Sequence, residues 1–255
     1  MMSRTCIPPR PAAVLRVAVM AACLALAGAG CGGGSGGHGS SGHTLTTRTG
    51  PSAAPPNGVA SKSAGQIVAA ATRAVQRVSA VHVSGAVVEN GIPVSLDLRL
   101  VRGQGGQGEM AENGLSFRLI SLDHVLYILG SRAFWTHFGG ATAAQLFQGK
   151  WLKTPDSGQF ATLGDLASIP SLFGQLLRAH GKLVKAGRAT VNGQPAVAVR
   201  DTTAGGTLYV AATGPPYPLA IVKRGMNGGH VSFTDFDQTV RLRAPVDTIS
   251  LPSAG

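Results

Sequence analysis

The residues of this chain that could do chemistry are two glycine-rich motifs, seven histidines, three cysteines and a few neighbouring carboxylates. Gly103-Gln104-Gly105-Gly106-Gln107-Gly108 fits G-x-G-x-x-G and follows a predicted strand. A dinucleotide site needs the last glycine to open a helix, so that the pyrophosphate meets the helix N-terminus. Here Glu109 to Glu112 lead into another hairpin, and the segment is expected to be a flexible hairpin loop. Gly33-Gly34-Ser35-Gly36-Gly37 fits G-x-S-x-G. A nucleophile elbow needs a strand before it and a helix after it, and neither flanks this match.

The histidines are scattered: His38 and His43 lie near the N-terminus, and His82, His124, His137, His180 and His230 stand singly. None forms the i, i+4 helical pair with an acid that a zinc protease uses. Asp123-His124 is a candidate dyad, but adjacent residues of a strand point to opposite faces. Asp235 and Asp237 would share a face if their strand continues and could hold a cation. Solvated carboxylates at a strand end are the simpler expectation. No metal, no cofactor and no catalytic set is expected, and the chain is not expected to be an enzyme.

The cysteines point elsewhere. Arg4, Arg10 and Arg16 precede an apolar run from Val17 to Gly30, which ends in small residues and then Cys31. That run is shorter than the roughly 20 residues a spanning helix needs, and it suits a secretory signal. The order resembles the bacterial lipoprotein signal, in which the cysteine becomes the lipidated first residue of the mature protein. Gly28 stands where that signal usually has Leu. Ordinary secretion, with cleavage after an Ala-Gly pair, is the alternative. Cys6 and Cys23 leave with a signal spanning residues 1–30, so Cys31 remains alone and no internal disulfide can form.

Elements must position whatever function remains. The 255 residues are 44% hydrophobic, 13% charged and 5% aromatic, with 36 Gly, which excludes both a wholly disordered chain and a helical bundle. Residues 31–62 are Gly, Ser, Thr, Pro and Ala with almost no large apolar side chain, and are expected to be a disordered tether. Residues 63–255 form one domain. Ser63 is expected to cap a helix running to about Ser79, its apolar stripe carried by Ile67, Ala71, Ala74, Val75 and Val78. Period-2 alternation and the turns Asn90-Gly91, Asn113-Gly114 and Asn192-Gly193 then predict antiparallel strands. Val125 to Leu129, Arg132 to Phe138 and Val240 to Leu242 are among the segments expected to be strands. Between them, residues 139–180 are expected to be a helical insertion that Pro170 breaks into two short helices. The total is about ten to eleven strands.

The order helix, strands, helical insertion, strands is similar to the LolA/LolB-like lipoprotein fold. The readable motifs lie in the C-terminal third: Val191-Asn192-Gly193-Gln194-Pro195-Ala196-Val197, then Leu208-Tyr209-Val210, Tyr217-Pro218-Leu219-Ala220-Ile221, and Val231-Ser232-Phe233-Thr234-Asp235-Phe236 ahead of Arg243-Ala244-Pro245. The layout is closest to actinobacterial lipid-carrier lipoproteins of the LppX/LprG kind. Ala220 stands where the family usually has a basic residue. The resemblance implies an α+β fold, a strongly curved antiparallel half-barrel wrapped around helices, with an apolar cavity.

On that fold, Leu96, Leu98, Leu100, Phe117, Leu119, Tyr127, Leu129, Tyr209, Ile221 and Phe233 are expected to line a concave surface. Leu172, Phe173 and Leu176 would cap it from the insertion. Ala196, Ala198, Ala211 and Ala212 are expected to leave volume in the interior. Secretion and the lack of interleaved aromatics argue against nucleic acid as the partner of the +11 chain. Arg178, Lys182 and Lys185, beside His180 and Arg188, are expected instead to contact anionic headgroups, or simply to form a solvated face. The functional expectation is a monomeric carrier of lipid or another acylated ligand, held by lipidated Cys31 on the extracytoplasmic face of the cell membrane. The alternative is a non-enzymatic envelope sensor or scaffold that binds a protein through exposed apolar side chains of the 139–180 insertion.

Overall fold

Ser63 starts the first helix as its sequence predicts. Its hydroxyl accepts from Gln66 N, and the Gln66 side chain accepts from Ser63 N at 3.0 Å, a reciprocal capping box. The computed structural model describes residues 54–178, 181–203 and 205–250. The signal, Cys31 and most of the expected tether lie outside the described residues, as does His180. Helix α1 (Ala64–Val75) ends short of the expected Ser79, before Val78, the last residue of its apolar stripe. There the Arg102 side chain takes over: its Nε donates to Val78 O at 2.6 Å and its Nη2 to Val75 O at 2.5 Å. A cation at a helix C-terminus satisfies carbonyls that have no helical partner.

Nine strands follow the alternation closely or within a residue or two: β1 (Ala80–Glu89), β2 (Ile92–Val101), β4 (Leu115–Leu122), β5 (Val125–Gly130), and later β7 (Leu183–Val191), β8 (Gln194–Asp201), β9 (Gly206–Ala211), β10 (Pro218–Lys223) and β11 (Gly229–Thr234), while β3 (Gly105–Glu112) stands between β2 and β4 without such alternation. Two more, β6 (Trp151–Pro155) and β12 (Thr248–Ser250), complete a twelve-stranded sheet. Its order is β12-β6-β5-β4-β3-β2-β1-β11-β10-β9-β8-β7, antiparallel except for the parallel pair β12·β6. Asn90, Asn113 and Asn192 adopt φ near 50° ahead of their glycines, so the Asn-Gly pairs make the tight hairpins expected of them.

The sheet is open and curved, and its concave side holds the helices α2 (Arg132–Phe147), α3 (Ala161–Leu166) and α4 (Ile169–Leu176). The α+β half-barrel implied by the resemblance is the observed architecture. One helix boundary follows the sequence closely: α3 ends before Ser168, which caps α4, and Pro170 sits in the first turn of α4 where it has no helical hydrogen bond to break.

Five expectations are corrected. Arg132 to Phe138 is helix, not strand. Its aromatics favour strands by propensity, but Ser131 Oγ accepts from Phe134 N at 3.2 Å and starts a helix. Phe134, Trp135 and Phe138 then fall on one helical face. Trp151 to Pro155, inside the expected helical insertion, is strand β6. The glycine-rich segment is not a loop: only Arg102 to Gln104 turn, and Gly105 onward belongs to β3. Val240 to Leu242 is no strand, because Asp235 and Asp237 at φ 52° and 61° turn the chain away after Thr234. Residues 54–62, assigned to the tether, are docked on the domain: Val59 is 1% exposed, and Asn57 Nδ2 donates to Ala211 O and Gly214 O, each at 2.9 Å.

Candidate functional site

Strand parity decides which side chains face the helices. Val81 and Val83 of β1, Leu98 and Leu100 of β2, Met110 of β3, Phe117 and Leu119 of β4, Leu126 and Ile128 of β5, Leu152 of β6, and Val231 and Phe233 of β11 form one buried cluster. The registers place them side by side across the ladder, as in Val83 opposite Leu98 and Phe233, and Leu119 opposite Ile128. Helix residues complete the same cluster: Phe134, Trp135 and Phe147 of α2, Leu163 and Leu166 of α3, and Ile169, Leu172 and Phe173 of α4. A second cluster joins Ile67, Ala70 and Ala71 of α1 to Val197, Val199 and Val210.

Ten of the thirteen residues expected to line the interior meet there. Leu98, Leu100, Phe117, Leu119, Leu172, Phe173 and Phe233 are buried in the first cluster, and Leu96, Leu176 and Ile221 pack against it, partly exposed. Tyr127, Leu129 and Tyr209 do not. Val125-Leu126-Tyr127-Ile128-Leu129 is apolar throughout, and Leu126 and Ile128 take the inner positions, so Tyr127 and Leu129 face outward. Tyr209 pairs with Ala198 and Ala220 on the outer face and packs beside Ala196, Ala211 and Leu219. Ala196, Ala198 and Ala211 therefore stand outside the concavity, and they leave no volume in it.

The interior is closely occupied by aromatic rings. Phe173 meets Phe233 at 5.0 Å between centroids, Phe134 meets Phe117 at 5.0 Å, and Trp135 meets Phe147 at 5.0 Å. Sequence reading missed the α2 aromatics. Their spacing of i, i+1 and i+4 after Ser131 was the available signal. Gly130 is required beneath them, since a methyl group there would lie 2.9 Å from Trp135 Nε1.

The helices that fill the concavity are short. α3 has six residues and α4 eight, and α2 is broken at Gly140, where φ is 74°. α3 also starts without a side-chain cap. Helices of this length have little stability apart from their tertiary packing.

Arg178, Lys182, Lys185 and Arg188 are all exposed, and Lys185 Nζ donates to Ala60 O at 2.9 Å, which holds the turn ahead of α1. The surface expected for a protein partner reduces to Leu146, 50% exposed, among the described large apolar side chains of the insertion.

The candidate carboxylates have other partners. Asp123 and His124, at φ 51° and 64°, form the β4–β5 turn rather than a strand dyad, and His124 Nδ1 lies 3.2 Å from Asp156 Oδ2. Asp237 accepts from Ser79 N at 2.7 Å and Ser79 Oγ at 2.9 Å, and from the Tyr217 hydroxyl at 2.7 Å. Burial pushes the Asp237 carboxyl up, but these hydrogen bonds and the Arg102 charge outweigh it and hold its pKa below the usual value. Burial, with Asp237 alongside, pushes the Tyr217 phenol up to about 12. His82 sits on the outer face with Nε2 2.9 Å from Asp97 and Nδ1 3.6 Å from Asp235. Among the described residues no three His, Cys, Asp or Glu side chains are grouped to hold a metal ion.

A cleft of about 320 Å³ opens at the rim where β5 passes into α2. Arg118, Leu129, Ser131, Arg132 and Gln148 are among its walls, together with Phe117. Sequence reading did not identify it.

No protein-family model matches this chain, and no curated protein is similar to it. Solved structures are. LprF from Mycobacterium bovis superposes with a TM-score of 0.52 at 14% identity, over 71% of this chain and 96% of that one. The lipoprotein LppX from Mycobacterium tuberculosis gives 0.47 at 14% identity, over 70% of this chain and 99% of that one. The twelve-stranded curved sheet around short helices is thus a fold shared with LprF.

Proposed function

We propose that the chain is an exported lipoprotein, anchored through lipidated Cys31 on the extracytoplasmic face of the membrane, that binds the acyl part of a lipid against its concave sheet and carries it across the envelope. One observation supports this reading above the rest. The apolar concave face is covered by short, interrupted helices rather than by a second sheet. Such a cover can be exchanged for another apolar occupant without breaking the ladder. Each methylene moved from water contributes about 0.8 kcal/mol, so a dozen of them offset roughly 10 kcal/mol of helix displacement. The protein acts by binding and needs no catalytic group. The C-terminal motifs that resemble lipid-carrier lipoproteins, and the fold shared with LprF, support the same reading.

The test is the protein's own cargo. Chain purified from a lipid-containing host, extracted into organic solvent and analysed by mass spectrometry, is expected to release about one lipid per chain. A lipid-free protein with no affinity for fluorescent acyl probes contradicts the reading.

A further inference from the structure

The cleft at the rim of β4 and β5 has the makings of a second site. Its volume, about 320 Å³, falls at the lower end of the roughly 300–1,000 Å³ usual for small-molecule sites. Two arginines line it. The Arg118 guanidinium lies over the Trp151 ring, 5.5 Å from its centroid, a cation–π contact that uses none of its N–H donors on the ring atoms. Arg132 is the first residue of α2 and is exposed. A cation in the first turn of a helix works against the helix dipole, so its charge does not serve the helix it begins.

Neither arginine has a carboxylate within 4.0 Å among the described residues. Glu109, opposite Arg118 in the ladder, lines the cleft without forming an ion pair. Trp135 Nε1 is buried without a hydrogen-bond partner behind Gly130, on the side of the interior cluster.

We propose that this cleft binds an anionic group, a phosphate or carboxylate, between Arg118 and Arg132, with Ser116, Ser131 and Gln148 completing its polar contacts. The group can arrive as a free small anion or as the head of a lipid. The cleft meets the concave interior at Phe117 and Gly130, and the inference does not rest on acyl-chain binding there.

Trp151 packs against the Arg118 guanidinium, so intrinsic fluorescence reports occupancy of the site. The purified full chain is titrated with inorganic phosphate, with dihexanoyl phosphatidic acid, and with uncharged dihexanoylglycerol as control. A saturable change is expected with at least one of the two anions and not with the control. A response to phosphate equal to that of the lipid identifies a free anion as the source. A response to the lipid alone identifies a headgroup. Arg118→Gln and Arg132→Gln are each expected to weaken binding about tenfold, and Glu109→Gln to tighten it. No saturable change with either anion, or an affinity unmoved in the double arginine variant at unchanged melting temperature, overturns the proposal. If an arginine variant loses its melting transition, Glu109→Gln decides: tighter binding supports the site, and unchanged or weaker binding overturns it.

Discussion

The ring of Phe173 on α4 rests against the ring of Phe233 on β11, with centroids 5.0 Å apart and planes inclined by 46°. Both side chains are nearly inaccessible, at 3% and 1% exposed. This contact joins the insertion to the centre of the sheet, because β11 pairs with β1 in the middle of the strand order. Phe173 is therefore core in this state. Its truncation to Ala is expected to cost about 3–5 kcal/mol and to lower the melting temperature by on the order of 10 °C. Phe173→Asp costs more, because it also buries a charge. Thermal melting of the variants checks this, and an unchanged melting temperature would show that the contact is dispensable. Half-buried Leu176 is the better position for probing lipid entry without unfolding the domain.

The glycines of β3 are steric requirements. A methyl group on Gly106 would come 2.6 Å from Leu100 Cδ2, and one on Gly108 would run into the Asp97 carbonyl. The first neighbour is a side-chain end that can shift, while the second is backbone. Gly108→Ala is expected to destabilise by about 1–3 kcal/mol and Gly106→Ala by less. Chemical denaturation of the two variants gives the order, which a flexible loop would not produce.

Arg102 holds the end of α1 through Val75 and Val78 carbonyls. Arg102→Met keeps most of the stem but removes two charge-assisted hydrogen bonds, and is expected to cost about 1.5–3 kcal/mol. The loss should appear as faster hydrogen exchange at residues 75–79, ahead of any change in β7 to β9. Uniform exchange across the domain would contradict the local role.

Asp237 and Tyr217 give opposite pH limbs. The folded-state pKa of Asp237 is depressed, so its contribution is present above its unfolded value near 4 and is lost as pH falls through the folded value. Tyr217 is raised to about 12. Its contribution is full below about 10, the unfolded value, and is lost as pH rises between 10 and 12. Melting temperature against pH should therefore lose part of its acid slope in Asp237→Asn and part of its alkaline slope in Tyr217→Phe. Parallel curves for wild type and variants would refute the assignment.

What was legible in the sequence was local. The Ser63 cap, the Asn-Gly hairpins and the break at Pro170 each depend on a few adjacent residues, and each was foreseen. Where neighbouring residues disagree with their surroundings, sequence fails. Arg132 to Phe138 has strand-like aromatics but is helical because the concave sheet offers its aromatic face a place to pack. Tyr127, Leu129 and Tyr209 were assigned to the wrong face because an unbroken apolar run carries no alternation, and a one-residue error in parity inverts every side chain. The Arg118–Arg132 cleft joins a strand to a helix start that sequence reading took for a strand, so nothing in the linear order announced it.

The central claim is that an acyl chain occupies the concave face by displacing α3 and α4. Hydrogen exchange, measured with and without a bound fluorescent fatty acid, tests it most directly. Lipid binding should speed exchange across residues 161–176 while β1 to β5 keep their protection. Saturable lipid binding that leaves α3 and α4 as protected as before would place the lipid outside the concavity and contradict the account.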